Sequence, residues 1–352
     1  YAIGPPRIMN WLEAAGEPFP VSGPSLALAA ACLQEGEDRM QAFVRIIRRE
    51  RRELAGTLKD LGAAPFPSQG NFVLARFKDP AWVAAALAGL GIAVRAYPDD
   101  TGVLSRCLRI TCPGDADSFR RLQQALAAAL APEALLLDLD GVLADVSASY
   151  REAIRATARL YGVALSPGEI AAAKTEGCAA NDWLLTQRLL GRHGRQVSLD
   201  EIVARFQVIY HGTPKVPGLR LAETLLVDPS LLERLAASRP LAIVTGRPRA
   251  EADWFLKRTG IGSFFASVVT ADDAPAKPNP GGPALALKEL GVQRAWMVGD
   301  AVDDVQAARQ AGVVPLAVLP PGGQRRITAA ALQRAGAAAV FNRLEEILEK
   351  LP

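Results

Sequence analysis

The stretch LLLDLDGVLADVS, Leu135 to Ser147, runs an apolar strand-like segment into two aspartates, and its reading decides the fold. An unpaired carboxylate is expensive to bury, so acids in such a place are paired, hydrogen-bonded or bound to a metal. Asp138 and Asp140 stand two residues apart, which puts them on the same side of an extended chain. Gly141 directly behind them allows a sharp turn, so that both acids can face a ligand. Their partners must come from the rest of the sequence.

Downstream, PLAIVTG, SVVTADD, AWMVGD and VVPLAVL read as further strands, each separated by a helix-like segment. This alternation predicts an α/β fold, a parallel sheet covered by helices on both faces. A polar, mostly helical block from about Ser147 to Leu221 interrupts the pattern after the first strand. Upstream, GPSLALAAACLQ and MQAFVRIIRRERRELAGTLKDLG have helical periodicity, the second ending at Gly62. NFVLARF, GIAVRAY and CLRITC look like short strands, and DADSFRRLQQALAAAL opens a helix on an N-cap aspartate. APEA (Ala131–Ala134) then leads into the apolar strand with almost no linker. The expected division is 1–131 and 132–352, the latter with a core of 132–146 and 222–352 and a helical insertion at 147–221.

Half of the 352 residues are apolar and 22% are charged, ordinary for a globular protein of two or three domains. Before Pro132 there are 15 basic and 13 acidic residues, and from it onward 25 and 24, so neither part has the surplus of a nucleic-acid binder. The densest basic stretch, RIIRRERRE (Arg45–Glu53), is interleaved with glutamates at helical spacing and reads as a solvated helix face. Cys32, Cys107, Cys112 and Cys178 are scattered, with no CxxC or Cys/His cluster, which argues against a zinc site or disulfide framework and fits a reducing compartment. No signal-peptide pattern and no membrane-spanning apolar run is present, and the expected location is the cytoplasm.

In open parallel sheets, ligands bind outside the carboxyl ends of the strands. Those ends carry Asp138 and Asp140, Thr245 in IVTGR, and Asp300 in VGDAVDD, while Lys277 in AKPNP lies in the loop after SVVTADD. Carboxylates without His or Cys among them favour a hard cation, most simply Mg²⁺. A cation so held neutralises phosphate charge and orients an aspartate for in-line attack. A hydroxyl and a lysine can hold the remaining equatorial oxygens, and a second carboxylate can protonate the leaving group.

In this order DLDGV, VTGR, AKP and GDAVDD resemble the four motifs of the haloacid dehalogenase superfamily of phosphohydrolases, from about Leu135 to the C-terminus. The resemblance implies a Rossmann-like parallel sheet with a helical cap placed between the first two motifs. It implies that Asp138 is the nucleophile and a metal ligand, and that Asp140 is the general acid and then the base, also offering its backbone carbonyl to Mg²⁺. Thr245, Gly246 and Lys277 would hold the phosphoryl group. Asp300 would ligate Mg²⁺, Asp304 would sit in or just outside the metal shell, and Asp303 behind it. Ala301 departs from the Ser or Thr that many members carry there. Within the cap, Lys174, Asn181 and Asp182 could face a substrate, helix surface being the plainer reading. Asp145 reads as a structural residue at the cap entrance.

Residues 1 to 130 resemble the C-terminal small domain, an α+β unit, of fold-type-I pyridoxal-phosphate aminotransferases, nearest the histidinol-phosphate aminotransferase group. YAIGPPRIM, PSQGNFVLARF, GIAVRAY and CLRIT carry the likeness. It implies that Arg109 binds the acidic end of a substrate, and that the Schiff-base lysine and the phosphate-binding arginine lie upstream of Tyr1. Lys59 and Lys78, the two lysines of this third, lack the family's context. YAIGPP, without an initiator methionine, reads as the middle of a protein. This chain alone is therefore not expected to transaminate, and pyridoxal phosphate belongs to an upstream-extended parent, a fusion of aminotransferase and phosphatase. Consecutive steps of histidine biosynthesis on one polypeptide make histidinol phosphate the expected substrate. A phosphoglycolate-like or sugar phosphate is the alternative, and the first third as a dimerisation scaffold is the rival reading for that part. The expected partner is a small phosphorylated metabolite, with a homodimer possible through the first third, and no nucleic acid or membrane.

Overall fold

The computed structural model describes residues 4–16, 21–98, 100–175, 181–321 and 325–352. Tyr1–Ile3 of the YAIGPPRIM match and Cys178 lie outside the described residues. The chain begins with helices α1 (Pro6–Ala15), α2 (Gly23–Glu35) and α3 (Glu37–Asp60). Ile47, Leu54 and Leu58 of α3 are buried at helical spacing, and Gly62 takes a left-handed φ of 82° just past its end. Next come β1 (Ala64–Pro65), β2 (Phe72–Arg76), α4 (Pro80–Gly89), β3 (Arg95–Ala96) and β4 (Cys107–Thr111). They form an antiparallel sheet in the order β1-β2-β4-β3, with Phe72 opposite Thr111. Helix α5 (Ala116–Leu130) opens on Asp115, whose side chain accepts from the Ser118 amide at 2.8 Å. The basic stretch of α3 departs from a purely solvated face. Glu50 is buried and accepts the Gly114 amide at 2.8 Å, while Arg51 donates to the Gly70 carbonyl at 2.8 Å.

Three residues after α5 the chain enters β5 (Ala134–Leu137), the strand of the opening stretch. A short strand β6 (Ala144–Asp145) leads to the cap helices α6 (Tyr150–Leu160), α7 (Pro167–Thr175), α8 (Asp182–Arg192) and α9 (Leu199–His211). A small hairpin, β7 (Gly212–Thr213) and β8 (Val216–Pro217), follows, and β9 (Thr224–Leu225) returns to pair with β6 antiparallel. Entry to and exit from the cap are thus tied into one two-stranded ribbon. Helices and strands then alternate as α10 (Pro229–Ser238), β10 (Leu241–Val244), α11 (Arg249–Thr259), β11 (Phe265–Val269), α12 (Gly281–Leu290), β12 (Ala295–Gly299), α13 (Val302–Gln310), β13 (Val314–Val318), α14 (Arg325–Ala335) and β14 (Ala339–Phe341).

The six-stranded sheet has the order β11-β10-β5-β12-β13-β14, all neighbours parallel. Its central strands are apolar on both faces, as a doubly covered parallel sheet requires. Leu136, Ala242 and Met297 pack on one side with α12, and Leu135, Ile243 and Trp296 on the other. That second side meets α4 and α5 of the first third. The rings of Trp82 and Trp296 lie 4.6 Å apart, and Trp296 Nε1 donates to the Ala128 carbonyl at 2.7 Å. Among the described residues, no helix is long and apolar enough to cross a membrane.

Candidate active site

The carboxyl ends of β5, β10 and β12 lie side by side, because β5 pairs with both of the others. Asp138 leaves β5 with its amide bonded to the Val298 carbonyl at 2.9 Å, which fixes its backbone over the neighbouring strand. Gly141 follows with a φ of 74°, and a β-carbon there would collide with the Asp300 carboxylate. Gly299 serves a similar purpose, since a β-carbon on it would strike the Asp304 side chain. Two glycines thus let three acids close on one point. Asp138, Asp300 and Asp304 each offer a carboxylate oxygen within 4.8 Å of the others.

Lys277 reaches this point from the loop after β11. Its Nζ donates to Asp138 Oδ1 at 2.8 Å and to the Val244 carbonyl at 3.1 Å, and it pairs with Asp304. Burial would pull the Lys277 ammonium down, but the Asp138 and Asp304 carboxylates outweigh it and hold its pKa above the ordinary value. Burial pushes the Asp138 carboxyl well up, aided by Asp304, Asp140 and Asp300 and opposed by Lys277. The donors that Asp138, Asp300 and Asp304 bring together are all carboxylate oxygens. The set therefore fits a hard divalent cation. Asp304 also accepts the Ala301 amide at 3.0 Å, so it closes the first turn of α13 while facing the cluster.

Asp138, Asp140, Gly246, Lys277, Asp300 and Asp304 line one small cavity. Asp182 of the cap and Asp303 line it too, which gives Asp182 a place beyond that of helix surface. Thr245 is buried at the end of β10, and its hydroxyl accepts the Arg247 amide at 3.1 Å. Asn181 instead caps α8, accepting the Trp183 and Leu184 amides at 3.0 Å. Lys174 lies on α7, with its side chain outside the described residues. Asp145 accepts the Ser147 amide at 2.9 Å at the mouth of the cap. Arg109 is on β4 with its guanidinium 5.1 Å from the Phe72 ring and is not among the residues lining this cavity. Lys59 and Lys78 are both exposed, on α3 and just after β2.

Two residues without a sequence-derived role stand close to Asp140. Arg247 donates from Nε and Nη2 to Asp140 Oδ1 at 2.8 and 2.5 Å, and from Nη1 to Glu223 Oε2 at 2.9 Å. Arg247 follows directly on VTG, but Glu223 lies in a cap-exit segment with no local pattern. Beside the small cavity lies a larger one of about 510 Å³, which shares Arg151, Asp300 and Ala301 with it. Glu152, Arg155, Ile170 and Leu332 also line it, between the cap and α14.

Residues 132–312 match the family profile of haloacid dehalogenase-like hydrolases, and residues 1–126 that of aminotransferases class I and II. A protein of Phytophthora nicotianae named imidazoleglycerol-phosphate dehydratase is 45% identical over 197 residues, 54% of this chain and 44% of that protein. A histidinol-phosphate aminotransferase of Jannaschia sp. is 41% identical over 125 residues, 35% of this chain and 34% of its own length. A plasmid phosphoglycolate phosphatase of Cupriavidus necator is 34% identical over 213 residues, 56% of this chain and 87% of that enzyme. The chain spans less than half the length of the first two of these relatives. Among solved structures, a provisionally assigned phosphoglycolate phosphatase of Lactobacillus plantarum superposes with a TM-score of 0.50 at 26% identity, over 62% of this chain and 99% of its own. Because the hydrolase profile spans more than half of the chain, the protein belongs to the haloacid dehalogenase-like hydrolases, with an aminotransferase class I and II segment ahead of that domain.

Proposed function

We propose that the chain is a Mg²⁺-dependent phosphomonoester hydrolase that works through an aspartyl-phosphate on Asp138, with histidinol phosphate as its leading substrate. The observation that carries the chemistry is the meeting of Asp138, Asp300 and Asp304 with Lys277 in one cavity at the strand ends. The three carboxylates and the Asp140 carbonyl would hold Mg²⁺, which supplies charge neutralisation for the phosphoryl oxygens. Lys277, together with Thr245 and the backbone at Gly246, holds the phosphoryl group as charge spreads over its oxygens. An Asp138 oxygen attacks phosphorus, and the bond from phosphorus to the ester oxygen breaks. Asp140 passes a proton to that oxygen, so the alcohol leaves neutral. Asp140 then takes a proton from water, whose oxygen attacks the same phosphorus, freeing phosphate and restoring the Asp138 carboxylate.

Support for the substrate comes from the relatives' names, imidazoleglycerol-phosphate and histidinol-phosphate, both phosphate esters bearing an imidazole. The larger cavity beside the phosphoryl site would receive that leaving group. A second reading, phosphoglycolate, draws on the Cupriavidus enzyme, which this chain matches over most of its length. The test is phosphate release with Mg²⁺ from histidinol phosphate, phosphoglycolate and a hexose phosphate, ranked by kcat/KM. Histidinol phosphate is expected to rank first, and phosphoglycolate in first place would favour the second reading. Asp138→Asn is expected to remove activity on all three, and a wild-type rate in that variant would overturn the mechanism.

A further inference from the structure

We propose that Arg247 is a positioning residue for Asp140, and that Glu223 and Tyr210 make the setting of Asp140 depend on the seating of the cap. This rests on the phosphatase reading of the site. Both guanidinium bonds to Asp140 fall on Oδ1, at 2.8 and 2.5 Å, and none is directed to Oδ2. Such a fork fixes the carboxylate's rotamer with one oxygen and leaves the other for proton transfer. The third nitrogen, Nη1, is committed to Glu223 Oε2 at 2.9 Å and Tyr210 OH at 3.2 Å. Tyr210 in turn donates to Glu223 Oε1 at 2.9 Å, closing the set.

The partners come from different bodies. Arg247 belongs to the loop after β10, in the core. Tyr210 is near the end of the last cap helix, α9, and Glu223 immediately precedes β9, where the chain leaves the cap. The guanidinium is buried, held between the Tyr150 ring of cap helix α6, at 4.9 Å, and the Phe255 ring of core helix α11, at 5.2 Å. Movement of the cap would therefore pull at three of the contacts that orient Arg247, and through it at Asp140. A buried ion pair is weak support for stability, because an apolar residue of like volume often does as well. Its placement between the cap exit and Asp140 gives this one a use that packing does not explain.

The test compares glycerol 2-phosphate, whose alkoxide must be protonated as it leaves, with p-nitrophenyl phosphate, whose leaving group needs no acid. Arg247→Lys keeps the charge but cannot make the fork. It is expected to lower kcat on glycerol 2-phosphate about a hundred-fold, the cost of a misplaced catalytic group, with KM little changed. On p-nitrophenyl phosphate the loss is expected to stay under about five-fold, because the acid contributes little there. Glu223→Gln, which keeps shape and packing, is expected to shift the ratio of the two rates in the same direction. Parallel losses on both esters in the folded variants would overturn the proposal, as would no loss on either. If Arg247→Lys does not fold, Glu223→Gln decides alone, and an unchanged ratio there overturns it. Wild-type protein that releases phosphate with Mg²⁺ neither from these esters nor from histidinol phosphate, phosphoglycolate or a hexose phosphate would overturn the phosphatase reading itself, a separate result.

Discussion

Asp138 stands among the carboxylates of Asp140, Asp300 and Asp304 and pairs with the buried Lys277 ammonium, and the oxygens of Asp138, Asp300 and Asp304 lie within reach of a single cation. A divalent cation that binds only the folded protein should stabilise it by mass action, about 2–3 kcal/mol at a hundred-fold excess over Kd. Thermal melts with increasing Mg²⁺ are expected to rise accordingly, and Asp300→Asn is expected to flatten that response. An Mg²⁺-independent melt in the wild type would argue against the cation. In the proposed reaction Lys277 has a different task, to meet the charge of the phosphoryl group beside Asp138. Lys277→Met is expected to lower kcat by about 10²–10³, the range for loss of one group that stabilises transition-state charge, and steady-state rates on the best substrate check it. In the sequence Asp138 and Asp300 stand out as acids closing apolar strand runs, and Lys277 lies in the loop after β11, between Ala276 and Pro278. Arg247 and Glu223 were not legible in this way. Their bonds to one another and to Asp140 join positions 24 and 107 residues apart, and no local pattern records such a pairing.

At the scale of elements, strands buried on both faces were the easiest to read, as runs of Val, Leu and Ile bounded by Gly, Asp or Pro. GIAVRAY had the same look, but only Arg95–Ala96 pairs, because β3 meets β4 over just Arg109 and Leu108. The edge strand Ala339–Phe341 follows an alanine-rich helix and was hidden by it, and its pairing with β13 is a tertiary event. Helix starts follow side-chain chemistry more faithfully. At α7, Ser166 and Glu169 form a reciprocal cap: Glu169 accepts the Ser166 amide at 2.8 Å and the Ser166 hydroxyl accepts the Glu169 amide at 3.2 Å. The Ser166 bonds, aided by His193, hold the Glu169 carboxyl down at about 2, from an ordinary value of 4.5. A depressed acid stabilises the fold above its unfolded pKa and loses that contribution as pH falls through its folded one. Glu169→Gln is therefore expected to melt below wild type at pH 7, with the gap narrowing as pH falls below about 4.5. A gap that stays constant from pH 7 to 3 would show that the carboxylate charge is not what holds this turn.

For the molecule as a whole, the expectation of two parts joined without a linker has a physical counterpart in how the sheet is covered. One face of β12 and β13 meets α4 and α5, so the aminotransferase-like part stands where a covering helix layer is needed. Trp82 lies on that seam, 94% buried, with its Nε1 donating to the Ala129 carbonyl at 3.2 Å and its ring against Trp296. Lys350, near the C-terminus, pairs with Asp79 at 2.8 Å across the same boundary. None of this is visible along the chain, because a tryptophan in an alanine-rich helix reads as ordinary core whichever layer it packs against. If the seam is shared core, the two parts should melt together, and a cavity cut there should weaken both. Trp82→Ala is expected to cost about 3–5 kcal/mol and to lower the melting point by on the order of 5–15 °C. Calorimetry of the full chain should show one transition that moves as a unit. Two transitions, of which Trp82→Ala shifts only the one belonging to the first third, would mean that the hydrolase sheet does not depend on that layer.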